Sequence, residues 1–134
     1  RPPREYPALS VAVAGTHDTS PLPSWWEESH EDERSHYLEM AGGGSAPPRA
    51  YAAARERILS SLYSSGSALA LLQFQDVAGT RERVNMPGTV GEHNWTYRIP
   101  LPAEGLCADP AIGEATRLLK RLAADSGRLP QESR

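Results

Sequence analysis

The sequence holds one cysteine, one lysine and one phenylalanine in 134 residues, and each shortage removes a class of protein. A lone Cys107 cannot build an intrachain disulfide framework, so a reducing, cytoplasmic setting is the simpler expectation. Thirteen of the fourteen basic residues are arginines, scattered along a chain of net charge -3, and Lys120 is the exception. No basic stripe with interleaved aromatics is present to track a phosphate backbone, so nucleic acid is not an expected partner. No apolar run approaches the roughly 18 residues that span a bilayer, and no signal-peptide pattern is present. A membrane is therefore not an expected partner either. The four histidines, His17, His30, His36 and His93, have no metal-ligand spacing, so a bound metal is not expected. Gly-x-Ser-x-Gly is missing, as is any signature around Cys107, which leaves serine or cysteine hydrolysis without a foothold.

What is present reads as alternating strand and helix. The opening Arg1-Pro2-Pro3-Arg4 lacks a methionine and suggests a piece of a longer chain. Leu9-Ser10-Val11-Ala12-Val13-Ala14 has the length and small, β-branched composition of a strand covered on both faces. Ser24-Trp25-Trp26-Glu27 has capping-box spacing and predicts a helix running to about Met40. Ala41 to Pro48, with three glycines and two prolines, is a surface loop. Pro48 suits a first helical position, Tyr51, Ala54, Ile58 and Leu62 form one apolar stripe, and Gly66 is placed for a left-handed cap. Ala68-Leu69-Ala70-Leu71-Leu72-Gln73-Phe74 predicts a second, buried strand with Gln75 and Asp76 at its end.

Residues 77–108 have no strong periodicity apart from a short extended segment at Trp95-Thr96-Tyr97-Arg98-Ile99. Connections of that length usually carry function. Asp109-Pro110 opens a last helix with Ile112, Ala115, Leu119 and Leu122 on one face, ending near Ser126-Gly127, and the tail 128–134 is expected to fray. The pattern is α/β, two β/α units with a parallel pair of strands. Two parallel strands cannot cover both of their edges, so further strands are expected beside them.

Chemistry concentrates at the strand ends. Gly15-Thr16-His17-Asp18-Thr19 follows the first strand, where α/β enzymes carry their reacting groups. Asp18 and Thr19 equally suit an Asx turn, and the spacing alone admits both readings. Gln75 and Asp76, with Arg83, Asn85, His93, Asn94 and Trp95 on the long loop, supply the carboxylate, amide and indole groups that grip sugars.

These residues together resemble a known family. Gly15-Thr16-His17-Asp18-Thr19 followed by Trp25-Trp26, then Gln75-Asp76, Arg83-Val84-Asn85-Met86-Pro87-Gly88-Thr89 and Asn94-Trp95, are similar to the C-terminal part of the 4-alpha-glucanotransferases. These are also called amylomaltases or disproportionating enzymes, of glycoside hydrolase family 77. The resemblance implies the last two β/α units of a (β/α)8 TIM barrel, with the remainder of the barrel upstream. It implies transfer of α-1,4-glucan segments from a maltooligosaccharide donor to an acceptor, without a cofactor. Residue by residue, it makes Asp18 a transition-state stabiliser on the 2- and 3-hydroxyls of the distorted sugar. His17 contacts the same sugar, Asn85 lines the site, and Pro87 with Gly88 shapes the loop. Gln75 and Asp76 suit either a site role or the hydrogen-bonded support of a loop. The nucleophile and the acid/base, about 5 Å apart in retaining enzymes, have no counterpart in this sequence, so the 134 residues alone are expected to be inactive. The alternatives are a hydrolase of the α-amylase clan, in which the motif beginning at Arg83 is not expected, and a non-catalytic carbohydrate-binding or interaction module.

Overall fold

The computed structural model describes residues 1–44 and 46–129. After a short 3-10 turn at Pro3–Glu5 the order is β1 (Val11–Val13), α1 (Leu22–Glu28), α2 (Glu31–Met40), α3 (Tyr51–Tyr63), β2 (Leu69–Leu71), α4 (Phe74–Ala78), α5 (Ala103–Leu106) and α6 (Pro110–Asp125). The strands pair in parallel, with Val11 opposite Leu69, Ala12 opposite Ala70 and Val13 opposite Leu71. The expected α/β order and parallel pairing are therefore observed. Among the described residues no helix is long and apolar enough to cross a membrane.

Alternation along a strand sends neighbouring side chains to opposite faces. Ala12 is fully buried beneath the helices, whereas Val11, Val13, Leu69 and Leu71, on the other face, stay between 41% and 60% exposed. The expectation of strands covered on both faces is thus corrected for this chain: helices cover one face only.

Helix α3 organises the packing because it has two apolar sides. Tyr51, Ala54 and Ile58 meet Leu22, Trp26 and Leu38, while Leu59 turns the other way to join Val77, Ala115, Leu118 and Leu122. The α3 stripe is as expected. On α6 the buried line runs through Ala115, Leu118 and Leu122, with Leu119 only flanking it. Ion pairs Arg55–Glu114 and Arg121–Glu56 close the outer seam between α3 and α6.

Several local expectations are overturned by partners distant in sequence. Ser24 lies inside α1 rather than capping it. The helix starts at Leu22, whose N–H donates to the carboxylate of Asp76 at 2.7 Å, and Ser24 Oγ instead donates to the Arg81 carbonyl. The single helix to Met40 is two: α1 stops at Ser29, and Glu33 accepts from the His30 N–H at 2.8 Å to start α2. Arg34 donates to the carbonyls of Trp26 and Ser29, which satisfies the broken end. Pro48 precedes rather than begins α3, because its carbonyl is engaged by Trp26 Nε1 at 3.0 Å.

Gly66 is not a left-handed cap, since α3 ends at Ser64. Its N–H donates to Pro3, and a side chain there would collide with the Tyr6 carbonyl. The second strand stops at Leu71, and Phe74 opens α4, which places Gln75 and Asp76 on a buried helical turn ended by Gly79 at φ +77°.

The end of α6 follows the sequence more closely. Asp109 caps it by accepting from Ile112 N–H at 3.0 Å. At its far end Gly127 (φ +69°) and Arg128 donate to Ala124 and Ala123, forming a Schellman motif. Arg128, expected to fray, instead donates to the carbonyls of Tyr63, Ser65, Ser67 and Ala68. The rest of the expected tail, 130–134, lies outside the described residues.

Asp76 is 1% exposed. Burial raises its carboxyl from 3.8 to about 6, opposed by the Leu22 N–H. The phenol of Tyr51, which donates to the Asp76 backbone carbonyl at 2.8 Å, is pushed far up by burial and then by the Asp76 charge. With the folded value above the unfolded one, the folded state holds more protons between pH 4 and 6, so stability falls as pH rises through that window. Asp76→Asn is expected to remove this part of the slope in denaturation midpoints measured from pH 4 to 7. Asp76→Ala leaves the Leu22 N–H without its partner and is expected to cost about 1–3 kcal/mol at every pH.

Candidate active site

The turn after β1 is built by its threonines. Thr19 N–H and Oγ1 both donate to the Thr16 carbonyl, at 3.1 and 2.9 Å, and Thr16 N–H donates back to Thr19 Oγ1 at 2.9 Å. Gly15 is needed beneath it, because any side chain would strike the Thr19 hydroxyl. Gln73, just beyond β2, donates to Thr16 at 3.1 Å and ties the turn to the second strand. The turn is threonine-built and is not the Asx turn that the spacing also admitted. It does not use the Asp18 carboxylate, which is left to face outward.

The loop 79–102 folds back onto that turn. Gln75 holds its start by donating to the Glu82 carbonyl at 3.2 Å, which is the loop-supporting one of the two roles open to it. Arg83 then spans the two loops, donating to the Asp18 carbonyl at 2.9 Å, to Ser20 Oγ at 3.0 Å and to the Asn85 carbonyl at 3.3 Å. Asn85 Nδ2 reaches Asp18 Oδ1 at 2.7 Å, and His17 Nε2 lies 3.4 Å from the same oxygen. His17, Asp18 and Asn85 therefore form one cluster.

Pro87 sits apart from them, at the tip of a turn in which Thr89 N–H donates to Met86. Gly88 at φ +74° after Pro87 is the type II pattern. Asn94 braces this turn by accepting from Met86 N–H at 2.8 Å and donating to the Thr89 carbonyl at 3.0 Å.

Trp95 is not the extended residue expected. Among the described residues it is the one non-glycine with a left-handed backbone, at φ +64°, a geometry that costs about 1–3 kcal/mol. Its N–H donates to the Val84 carbonyl at 2.8 Å, which closes the loop. Its indole lies 4.8 Å from the His17 ring, centroid to centroid, tilted by 46°. The contact of Trp95 with His17 and the bridge by Arg83 were not legible beforehand, since neither spacing nor periodicity links residues more than sixty positions apart.

Asp76, at the matching position after β2, is not part of the cluster. Its carboxylate is buried against the start of α1, so its role is structural. No three His, Cys, Asp or Glu side chains among the described residues gather as a metal-binding group. Hydroxyl-rich ligands suit what remains: one outward carboxylate, an amide, an imidazole and an aromatic face.

Fold and cluster define an α/β protein with a polar side-chain cluster at the carboxyl ends of parallel strands. Comparison narrows this. A family model described as 4-alpha-glucanotransferase matches residues 1–103. The 4-alpha-glucanotransferase of Chlamydia trachomatis is 31% identical over 123 residues, covering 86% of this chain and 23% of that protein. For Chlamydia muridarum the values are 29% over 114 residues, 78% and 21%. The structure of an amylomaltase from Streptococcus agalactiae in complex with acarbose superposes with a TM-score of 0.73 at 25% identity, covering 96% of this chain and 24% of that one.

The chain belongs to the 4-alpha-glucanotransferase family, as the motif resemblance implied. It spans about a fifth of the length of these curated relatives.

Hydrogen bonds from a charged donor contribute about 1.5–3 kcal/mol each. Arg83→Ala is therefore expected to speed amide exchange in residues 15–20 and 83–95 by about tenfold or more, while α3 keeps its protection. Hydrogen-exchange mass spectrometry measures both regions in one experiment.

Proposed function

We propose that this chain is the C-terminal part of the catalytic barrel of a 4-alpha-glucanotransferase. The enzyme transfers α-1,4-glucan segments from a maltooligosaccharide donor to a maltooligosaccharide acceptor by a retaining double displacement. In this reading β1 and β2 are the seventh and eighth strands of a (β/α)8 barrel. Their exposed face, Val11, Val13, Leu69 and Leu71, belongs to the packed interior, which in such barrels is filled by branched side chains. The single exposed Cys107 fits a cytoplasmic enzyme.

The observation that carries the reading is the 2.7 Å bond from Asn85 to Asp18. It joins the strand-end motif to the long-loop motif, two stretches whose chemistry makes sense only together. Asp18 accepts hydrogen bonds from the 2- and 3-hydroxyls of the sugar at the cleavage point. As that sugar distorts toward an oxocarbenium ion these bonds strengthen, which lowers the barrier. His17 contacts the same sugar, Asn85 orients the carboxylate and lines the site, and Pro87 shapes the loop's rim.

A retaining transfer also needs a nucleophile and an acid/base about 5 Å apart across the scissile bond. Asp18 is the one carboxylate of this cluster, so we place both of those groups on other strands of the barrel. Among the carboxylates of this chain, the transition-state-stabilising role falls to Asp18.

In the full-length enzyme, Asp18→Asn is expected to lower the turnover of maltotriose disproportionation by roughly a hundredfold or more, because bonds that tighten in the transition state supply several kcal/mol. Near-normal turnover would remove Asp18 from the mechanism. The purified 134-residue chain is expected to give no longer glucans from maltotriose, and any product above background would contradict the assignment of the bond-breaking groups to other strands.

A further inference from the structure

Trp95 poses a question that burial does not answer. Its side chain remains 64% exposed, so it gains little from leaving water, and its backbone occupies a region that tryptophan avoids. Strain of this kind persists only where surrounding structure over-determines it. Here that structure is explicit: Trp95 N–H is held by Val84, and Asn94 beside it is bonded to Met86 and Thr89. The forced turn brings the indole against His17.

His17 needs such a neighbour. Its Nε2 is 3.4 Å from Asp18 Oδ1, longer than a well-made N–H to O bond, and no other polar partner is recorded for it among the described residues. The carboxylate already has a shorter bond from Asn85, at 2.7 Å. The Asp18 carboxylate is thus poorly placed to fix the imidazole plane, and the indole is the ring packed beside it. Arg83 anchors the loop that carries Trp95 onto the backbone of Asp18 and the hydroxyl of Ser20. Loop and turn are thus tied together.

We infer that Trp95 is a positioning residue: its indole, delivered by the left-handed turn, sets the orientation of His17 beside Asp18. The inference rests on the proposed transferase reading. It assigns the exposed tryptophan to the protein's own histidine rather than to a sugar ring. A misplaced group of this kind affects the rate of the chemical step more than substrate affinity, whereas a lost sugar platform weakens affinity.

The test uses the full-length enzyme with Trp95→Gly, which accepts the left-handed backbone and removes the indole, and Trp95→Phe, which restores an aromatic face. For Trp95→Gly the expected results are a kcat about tenfold lower, a KM within about twofold of wild type and a denaturation midpoint no lower than that of wild type. Trp95→Phe is expected to recover most of the turnover. The His17 ring protons, assigned by His17→Gln, are expected to shift in Trp95→Gly as the indole's ring current is lost. A higher KM at normal kcat would assign Trp95 to the sugar and overturn the inference. So would Phe no better than Gly, or a His17 resonance that does not move. An inactive wild-type enzyme would instead refute the transferase reading, and the His17 resonance would still decide the contact.

Discussion

Asp76 holds the two β/α units in one arrangement. Its side chain accepts from the first N–H of α1, its backbone carbonyl accepts from the hydroxyl of Tyr51 on α3, and it lies on α4 itself. Three helices from both units therefore converge on one buried residue. A helix start leaves backbone N–H groups unsatisfied. Proline at the N-cap and again at the second position deprives α1 of the usual local solution, so its start depends on a carboxylate 54 positions away. The turn bearing His17 and Asp18 runs directly into that start.

The candidate site inherits this dependence. Strand β1 delivers the His17–Asp18 turn, and the segment beyond β2 delivers the loop that meets it. The two are joined by Arg83, Asn85 and the Trp95 ring rather than by a shared element. A binding group held in this way has its orientation set before any ligand arrives, which is where catalytic sites gain most from electrostatic and geometric preorganisation. The left-handed Trp95 is a local cost that the closed loop sustains.

Much of the architecture was legible in the residues because it rests on local pattern. The α3 stripe from Tyr51 to Leu62, the Asp109 cap and the Gly127 ending of α6 all follow from periodicity and capping chemistry that a short window contains. The errors share a different origin. Ser24 looked like a cap because its true competitor, Asp76, is remote; Pro48 looked like a helix start because the indole that engages its carbonyl is 22 residues away. A run such as residues 68–74 does not distinguish a strand from a strand that yields to a helix, and Gly79 marked the stop only in hindsight. Motif resemblance singled out His17, Asp18 and Asn85, which the fold brings into one cluster, while the braces between them, Arg83 and Trp95, required three dimensions.

The clamp made by Arg128 has a bearing on how this protein tolerates change over evolutionary time. A single guanidinium gathers the carbonyls that follow α3 and lead into β2, and it does so from just past the end of α6. Inserting one residue in α6 would turn that side chain by about 100° and carry it about 1.5 Å along the axis, away from all of them. The clamp therefore constrains the length of α6 and of the turn through Arg128 more than the composition of the helix's outward positions.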